Sequence, residues 1–131
     1  MHKEIPTDRL FSEEHEWIKI GNKEALMGIS DHAQSALGDV VYIELPEVDS
    51  LIKKGKAIGV VESVKAVSDI FAPLSGRVIA VNQLVINKPE TINQDPYGEG
   101  WLLKIELTDQ GEAHDLLTPA AYEDLLLKEA K

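Results

Sequence analysis

Apolar positions along the chain come in short runs rich in Val and Ile, broken repeatedly by Gly, Pro, Asn and Asp. That punctuation predicts an all-β sandwich or barrel. Trp17-Ile18-Lys19-Ile20 alternates in polarity and stops at Gly21-Asn22, and Glu24 to Ile29 resumes the pattern, which predicts a hairpin. Val40 to Leu45 reads as a strand ended by Pro46. Lys53-Lys54-Gly55-Lys56 reads as a solvated turn between Leu51-Ile52 and Ala57 to Val61. A strand from Ala66 to Phe71 runs into the Pro73 and Gly76 turn, and Arg77 to Val81 follows as a further strand that stops at Asn82. Asn87 to Gly100 reads as a long polar loop, and Trp101 to Leu107 as the last strand.

Helical spacing appears twice. Ser30 fits an N-cap, Ala33, Ala36 and Leu37 share a face, and Gly38 supplies a stop, which predicts one short internal helix. Thr118 before Pro119 is a cap followed by proline at the first helical position. Ala121, Tyr122, Leu125 and Leu126 continue it, so a C-terminal helix is predicted over about 119–130. The leucines of this segment are expected to pack on the barrel, since a small β core gains from a covering helix. No linker or repeat interrupts the chain, and its 131 residues are expected to form a single domain, 1–131.

Composition narrows the chemistry. The absence of cysteine excludes disulfides, thiolate metal sites and cysteine nucleophiles, so any redox chemistry must be carried by an attached group. A net charge of −10 repels phosphate backbones and argues against nucleic acid as a partner, while favouring solubility and less acidic protein partners. No apolar window approaches a membrane span, and the polar start broken by Pro6 lacks a secretion or transit pattern. A soluble, cytoplasmic, monomeric protein is expected, and a mature mitochondrial matrix protein would look the same. His15 and His32 have neither the spacing nor the flanking residues of a zinc pair, so no metal site is expected. Gly98-Glu99-Gly100 lacks the lysine and helix of a phosphate loop, and no serine stands in a Gly-x-Ser-x-Gly setting.

One position remains chemically distinctive. Val60 to Ile70 reads as two apolar strands folded back on each other, the tip of a hairpin over about 57–71, with Lys65 at the bend. A lysine held on a rigid turn is a handle for a covalent arm, because a modifying enzyme can recognise it through backbone shape. Val64 is unusual for a turn, and an apolar residue beside an exposed lysine suggests that a partner reads the tip.

Four motifs in order resemble the glycine cleavage system H-protein family. They are Phe11 to Ile18, Gly28 to Gln34 with Leu37 to Tyr42 and Leu45-Pro46, Glu62 to Ala66 with Ser68 to Ile70 and Pro73 to Val78, and Asp95 to Trp101. The resemblance implies a biotinyl/lipoyl-carrier fold, a flattened barrel of two antiparallel sheets, with Lys65 bearing lipoate as N6-lipoyllysine. It implies a carrier, not an enzyme, that takes the aminomethyl group of glycine from a pyridoxal-phosphate glycine decarboxylase to a tetrahydrofolate-dependent aminomethyltransferase. Dihydrolipoyl dehydrogenase, using FAD and NAD, would then reoxidise the arm, and a lipoate-attaching enzyme would install it. By the same resemblance Glu16 and Asp69, with Glu14 beside them, would line a cleft for the loaded arm, whose terminal amine is cationic.

Other swinging-arm modules are the nearest alternatives. Dehydrogenase lipoyl domains resemble Asp-Lys-Ala at the tip and biotin carriers Met-Lys-Met, whereas this tip is Val64-Lys65-Ala66 with additional N-terminal and late motifs. An H-like lipoate relay serving other lipoyl enzymes, or an unmodified structural domain, would leave the same sequence.

Overall fold

The computed structural model describes residues 5–130 and contains two antiparallel sheets that face one another without closing. The larger sheet has the order β1-β2-β3-β9-β8-β5, built from β1 (Leu10–Phe11), β2 (Glu16–Gly21), β3 (Glu24–Ile29), β5 (Leu51–Ile52), β8 (Gly76–Val81) and β9 (Leu103–Leu107). The smaller sheet is β4-β6-β7, from β4 (Val40–Glu44), β6 (Ala57–Ser63) and β7 (Val67–Phe71). The expected flattened barrel thus takes the form of a sandwich with separate edges.

The predicted β2–β3 hairpin is present, with Gly21 opposite Glu24 and Asn22 in the left-handed region at φ 55°. Asn tolerates that backbone better than most side chains. Across the same hairpin Trp17 faces Gly28, where any side chain would run into the indole: a methyl at Gly28 would lie 2.7 Å from its ring. The main core forms where Ile18, Met27, Val78 and Ile105 of one sheet meet Ile43, Val61 and Ile70 of the other. A second cluster gathers Phe11, Trp17 and Tyr122 outside the large sheet.

Both predicted helices form with the expected caps. Ser30 Oγ accepts from the Ala33 N–H at the start of α1 (Asp31–Leu37), and Gly38 ends it at φ 85°. Thr118 Oγ1 accepts from the Ala121 N–H before α4 (Pro119–Glu129). α4 carries Tyr122, whose ring stacks on Phe11 at 4.3 Å with an interplanar angle of 3°. Leu117, Leu125 and Leu126 pack against the same cluster, while Leu127 remains exposed. Leu117 also exchanges backbone hydrogen bonds with Phe11, extending the sheet edge.

The expectation of one internal helix is corrected. Asn82 ends β8 by capping α2 (Gln83–Asn87), its Oδ1 accepting from the Leu84 N–H at 3.1 Å. α3 (Thr91–Gln94) lies inside the expected polar loop, and a 3-10 turn spans Gln110–Asp115. Each short helix is too short to be stable alone and survives by burying an anchor, Val85 in α2 and Ile92 in α3. One apolar anchor per helix gives no periodic signal in sequence. The last strand starts at Leu103, two residues later than predicted. Among the described residues no helix is long and apolar enough to cross a membrane.

Candidate functional site: a lysine hairpin beside an acidic cleft

β6 and β7 pair from Ala57↔Phe71 to Glu62↔Val67, and Lys65 sits in the connection between them. Ser63 builds the turn: its N–H donates to the Ala66 carbonyl at 2.8 Å, and its Oγ accepts from the Ala66 N–H at 3.0 Å. The hydroxyl does locally what Ser, Asn and Asp do in tight turns, satisfying backbone donors that the ladder leaves open. Lys65 is exposed, and Val64 and Val67 on either side are 70% and 67% exposed.

The tip is also braced from below, which sequence analysis did not anticipate. The Val64 N–H donates to the Asp39 carbonyl at 3.0 Å. Asp39 is in turn held by Asn93 of α3, whose Oδ1 accepts from the Val40 N–H and whose Nδ2 donates to the Gly38 carbonyl, both at 2.9 Å. The aliphatic stem of Lys65 leans over Gly38, where an added methyl would stand 3.2 Å from Cε. Gly38 therefore serves twice, as the left-handed helix stop and as the floor under the lysine. The only sequence signal for this was the proximity of a Gly-Asp pair to a helix stop, and nothing in the sequence linked Asn93 to it.

Alongside the hairpin runs a cleft of about 430 Å³, whose lining includes Glu14, Glu16 and Asp69 together with Ala66 and Ser68 of the tip strand. The structure thus brings the three carboxylates expected from sequence to one wall system. Their environments differ sharply. Glu14 and Asp69 are exposed, whereas Glu16 is 3% exposed. Ser12 Oγ donates to Glu16 Oε1 at 2.7 Å, and the Phe71 N–H of β7 donates to Oε2 at 3.1 Å. Glu16 is therefore a tie between the two sheets as well as part of the cleft. Burial pushes its carboxyl up from the ordinary 4.5 to about 7, the two hydrogen bonds opposing and the nearby Glu14 charge adding to the rise.

The histidines did not read as a pair in sequence, yet the fold brings their rings to 4.7 Å on this same cleft. Lys54, read as solvated, instead donates to the Glu112 carbonyl and pairs with Asp115 at 2.8 Å, fastening the 3-10 turn to the β5–β6 connection. The late motif docks on the N-terminal one: the Trp17 indole N–H donates to the Pro96 carbonyl at 2.9 Å, and the Arg9 guanidinium lies 4.5 Å over the Trp17 ring. These contacts, with the Arg9 guanidinium donating to the Tyr97 carbonyl at 3.0 Å, lock the N-terminal and late motifs together.

Residues 9–129 match the family model described as Glycine cleavage H-protein. The chain is 50% identical over 127 residues to the glycine cleavage system H protein of Carboxydothermus hydrogenoformans, covering 97% of this chain and 98% of that one. It is 54% identical over 124 residues to the protein of the same name from Stenotrophomonas maltophilia, covering 94% and 95% of the two chains. The crystal structure of a glycine cleavage system H protein from Mycobacterium marinum superposes with a TM-score of 0.85 at 38% identity, covering 97% of this chain and all of that one. The chain belongs to the glycine cleavage H-protein family, the lipoyl carriers of the glycine cleavage system, which are components of that system and not catalysts themselves.

Proposed function

We propose that Lys65 carries lipoate in amide linkage and that Glu14, Glu16 and Asp69 line the cleft that shelters the loaded arm. The observation that carries this is the placement of an exposed lysine on a braced turn whose own strand, through Ala66 and Ser68, forms part of a cleft holding three carboxylates. The fit supports the attachment: the lysine is accessible, and its stem rests on Gly38 and is not boxed in. Lipoate held there would supply a disulfide that opens to take the aminomethyl group on one sulfur while the other becomes a thiol, and it would stay on Lys65 as the dithiol once the group is passed on.

The chain's own residues do the rest. Amide formation removes the Lys65 charge and leaves an arm without a cationic root, taking the formal net charge from −10 to −11. The Ser63 turn fixes where the arm starts, which sets a high effective concentration of the tethered group at each partner. Glu14 and Asp69, exposed at the cleft, attract the cationic amine, and Glu16 below them supplies a less hydrated carboxylate that binds the cation more strongly when ionised. The apolar wall from Ile29, Val61 and Ile70 limits water at the carrier's cargo.

In this role the protein serves the decarboxylase, the aminomethyltransferase and dihydrolipoyl dehydrogenase in turn, after a lipoate-attaching enzyme has modified it, in the cytoplasm. Val64 and Val67 form the apolar part of the surface these partners meet. The test is intact mass and peptide mapping after reaction with lipoate ligase. One lipoyl adduct on the peptide containing Lys65 is expected, and none on Lys65→Arg. An adduct on another lysine would refute the assignment.

A further inference from the structure

Beyond the arm site, a second cluster is assembled from three distant parts of the chain. His15 precedes β2, His32 stands in the first turn of α1, and Glu129 ends α4. One ligand atom from each lies within 4.8 Å of the other two. His15 Nε2 is 3.1 Å from Glu129 Oε1. Around a tetrahedral zinc-class ion, bonds of about 2.0–2.2 Å place donor atoms roughly 3.3–3.5 Å apart. The His15–Glu129 contact is already near that spacing. Histidine rings on one such ion have centroids about 5 Å apart, and these lie 4.7 Å apart.

Hydrogen bonds that aim a ligand are present too. Tyr122 Oη holds His15 Nδ1 at 2.8 Å and is itself held by Ser30 Oγ at 2.7 Å, so the ring is aimed by its outer nitrogen and presents Nε2 to the cluster. Orientation of a ligand histidine through its other nitrogen is the usual support of a metal site. Two imidazoles and one carboxylate suit zinc and its neighbours and not calcium or magnesium, which take oxygen sets. Three protein donors leave a coordination place for water, and both histidines border the cleft, from which that water is reached.

We infer that His15, His32 and Glu129 form a binding site for a zinc-class divalent ion, which clamps the end of α4 to the rim of the cleft. The ion would add a bond between three elements of the fold, so its binding stabilises the folded state by linkage.

The test uses the full chain without lipoate, so its outcome is independent of Lys65. Chelator-treated protein is titrated with Co²⁺ and then with Zn²⁺. One equivalent of cobalt is expected to give the intense visible absorption of tetrahedral coordination, which zinc then bleaches. At a hundredfold excess over Kd the Tm is expected to rise by roughly 10 °C. Glu129→Gln is expected to weaken binding at least about tenfold, since loss of even a hydrogen-bond partner of a ligand costs about 10–100-fold. Its metal-free Tm should stay within about 2 °C of the parent, because a half-exposed ion pair contributes little. His32→Gln is expected to abolish the absorption, and His114→Gln to leave it intact. Ring ¹H–¹⁵N shifts in the unsubstituted protein identify the ligating nitrogens without any variant. No cobalt absorption and no Tm rise, or shifts confined to His2 and His114, would overturn the site and leave an ion pair only.

Discussion

Glu16 concentrates the tension of this structure in one side chain. It is buried between the sheets, accepts from Ser12 and the Phe71 N–H, and is held near pH 7 by desolvation. Because its folded value lies above its unfolded one, folding favours the protonated form. Stability from this group is complete below pH 4.5, falls as the unfolded chain ionises, and levels off above about pH 7. At 1.36 kcal/mol per pH unit the loss across that interval is about 3 kcal/mol. Glu16→Gln keeps both hydrogen bonds, the amide oxygen taking the Phe71 N–H and the amide nitrogen donating to Ser12 Oγ. Urea denaturation should therefore show the variant more stable than the parent by up to about 3 kcal/mol at pH 8 and equal to it at pH 4. On the proposed cleft role the same variant, lipoylated and loaded, should lose its aminomethyl group faster at pH 8. Loss as slow as in the parent would separate Glu16 from cargo retention and leave it a structural tie. The resemblance of the motif pointed to this carboxylate, but its burial was not legible, since Glu-Trp-Ile at a strand start reads equally well with the acid facing water.

The element that matters most here is the hairpin of β6 and β7, and its precision comes from outside itself. A two-stranded ribbon is marginal in isolation. This one is paired on its other side by β4, and its tip is bound through Val64 to Asp39, which Asn93 of α3 secures. Asn93→Ala removes the acceptor of the Val40 N–H and the donor to the Gly38 carbonyl. We expect a cost of about 1–3 kcal/mol, read as a lower urea midpoint at unchanged slope. Amide exchange should rise at Val64 to Ala66 more than in β8 and β9. Uniform exchange through the chain would show that α3 does not brace the tip selectively. The strands, both capped helices and the turn at Lys65 were readable because alternation, Ser and Thr caps and glycine stops act over a few residues. α2 and α3 were not, because each rests on a single buried anchor, Val85 or Ile92, that counts only once a partner surface exists.

For the whole molecule, α4 is the last helix and fastens to the first strand, β1. Tyr122 stacks on Phe11 and carries Ser30 and His15 on its hydroxyl. Tyr122→Ala should cost about 3–5 kcal/mol, since it opens a cavity and strands a buried hydroxyl. An exposed control such as Ile20→Ala should cost much less. If the tyrosine variant unfolded in two steps, α4 would be a separately melting appendage; a single transition is expected because Phe11 and Trp17 share its cluster.

The sequence by itself determined the β character, the hairpins, the capped helices, the lysine at the bend and the acidic, cysteine-free chemistry. These rest on backbone preferences and side-chain periods that neighbouring residues carry. Only the tertiary structure decided that Glu16 is dry, that Asn93 supports the tip, and that His15, His32 and Glu129 converge. Dielectric, bracing and clustering depend on what distant segments bring to one point, and no local pattern encodes that.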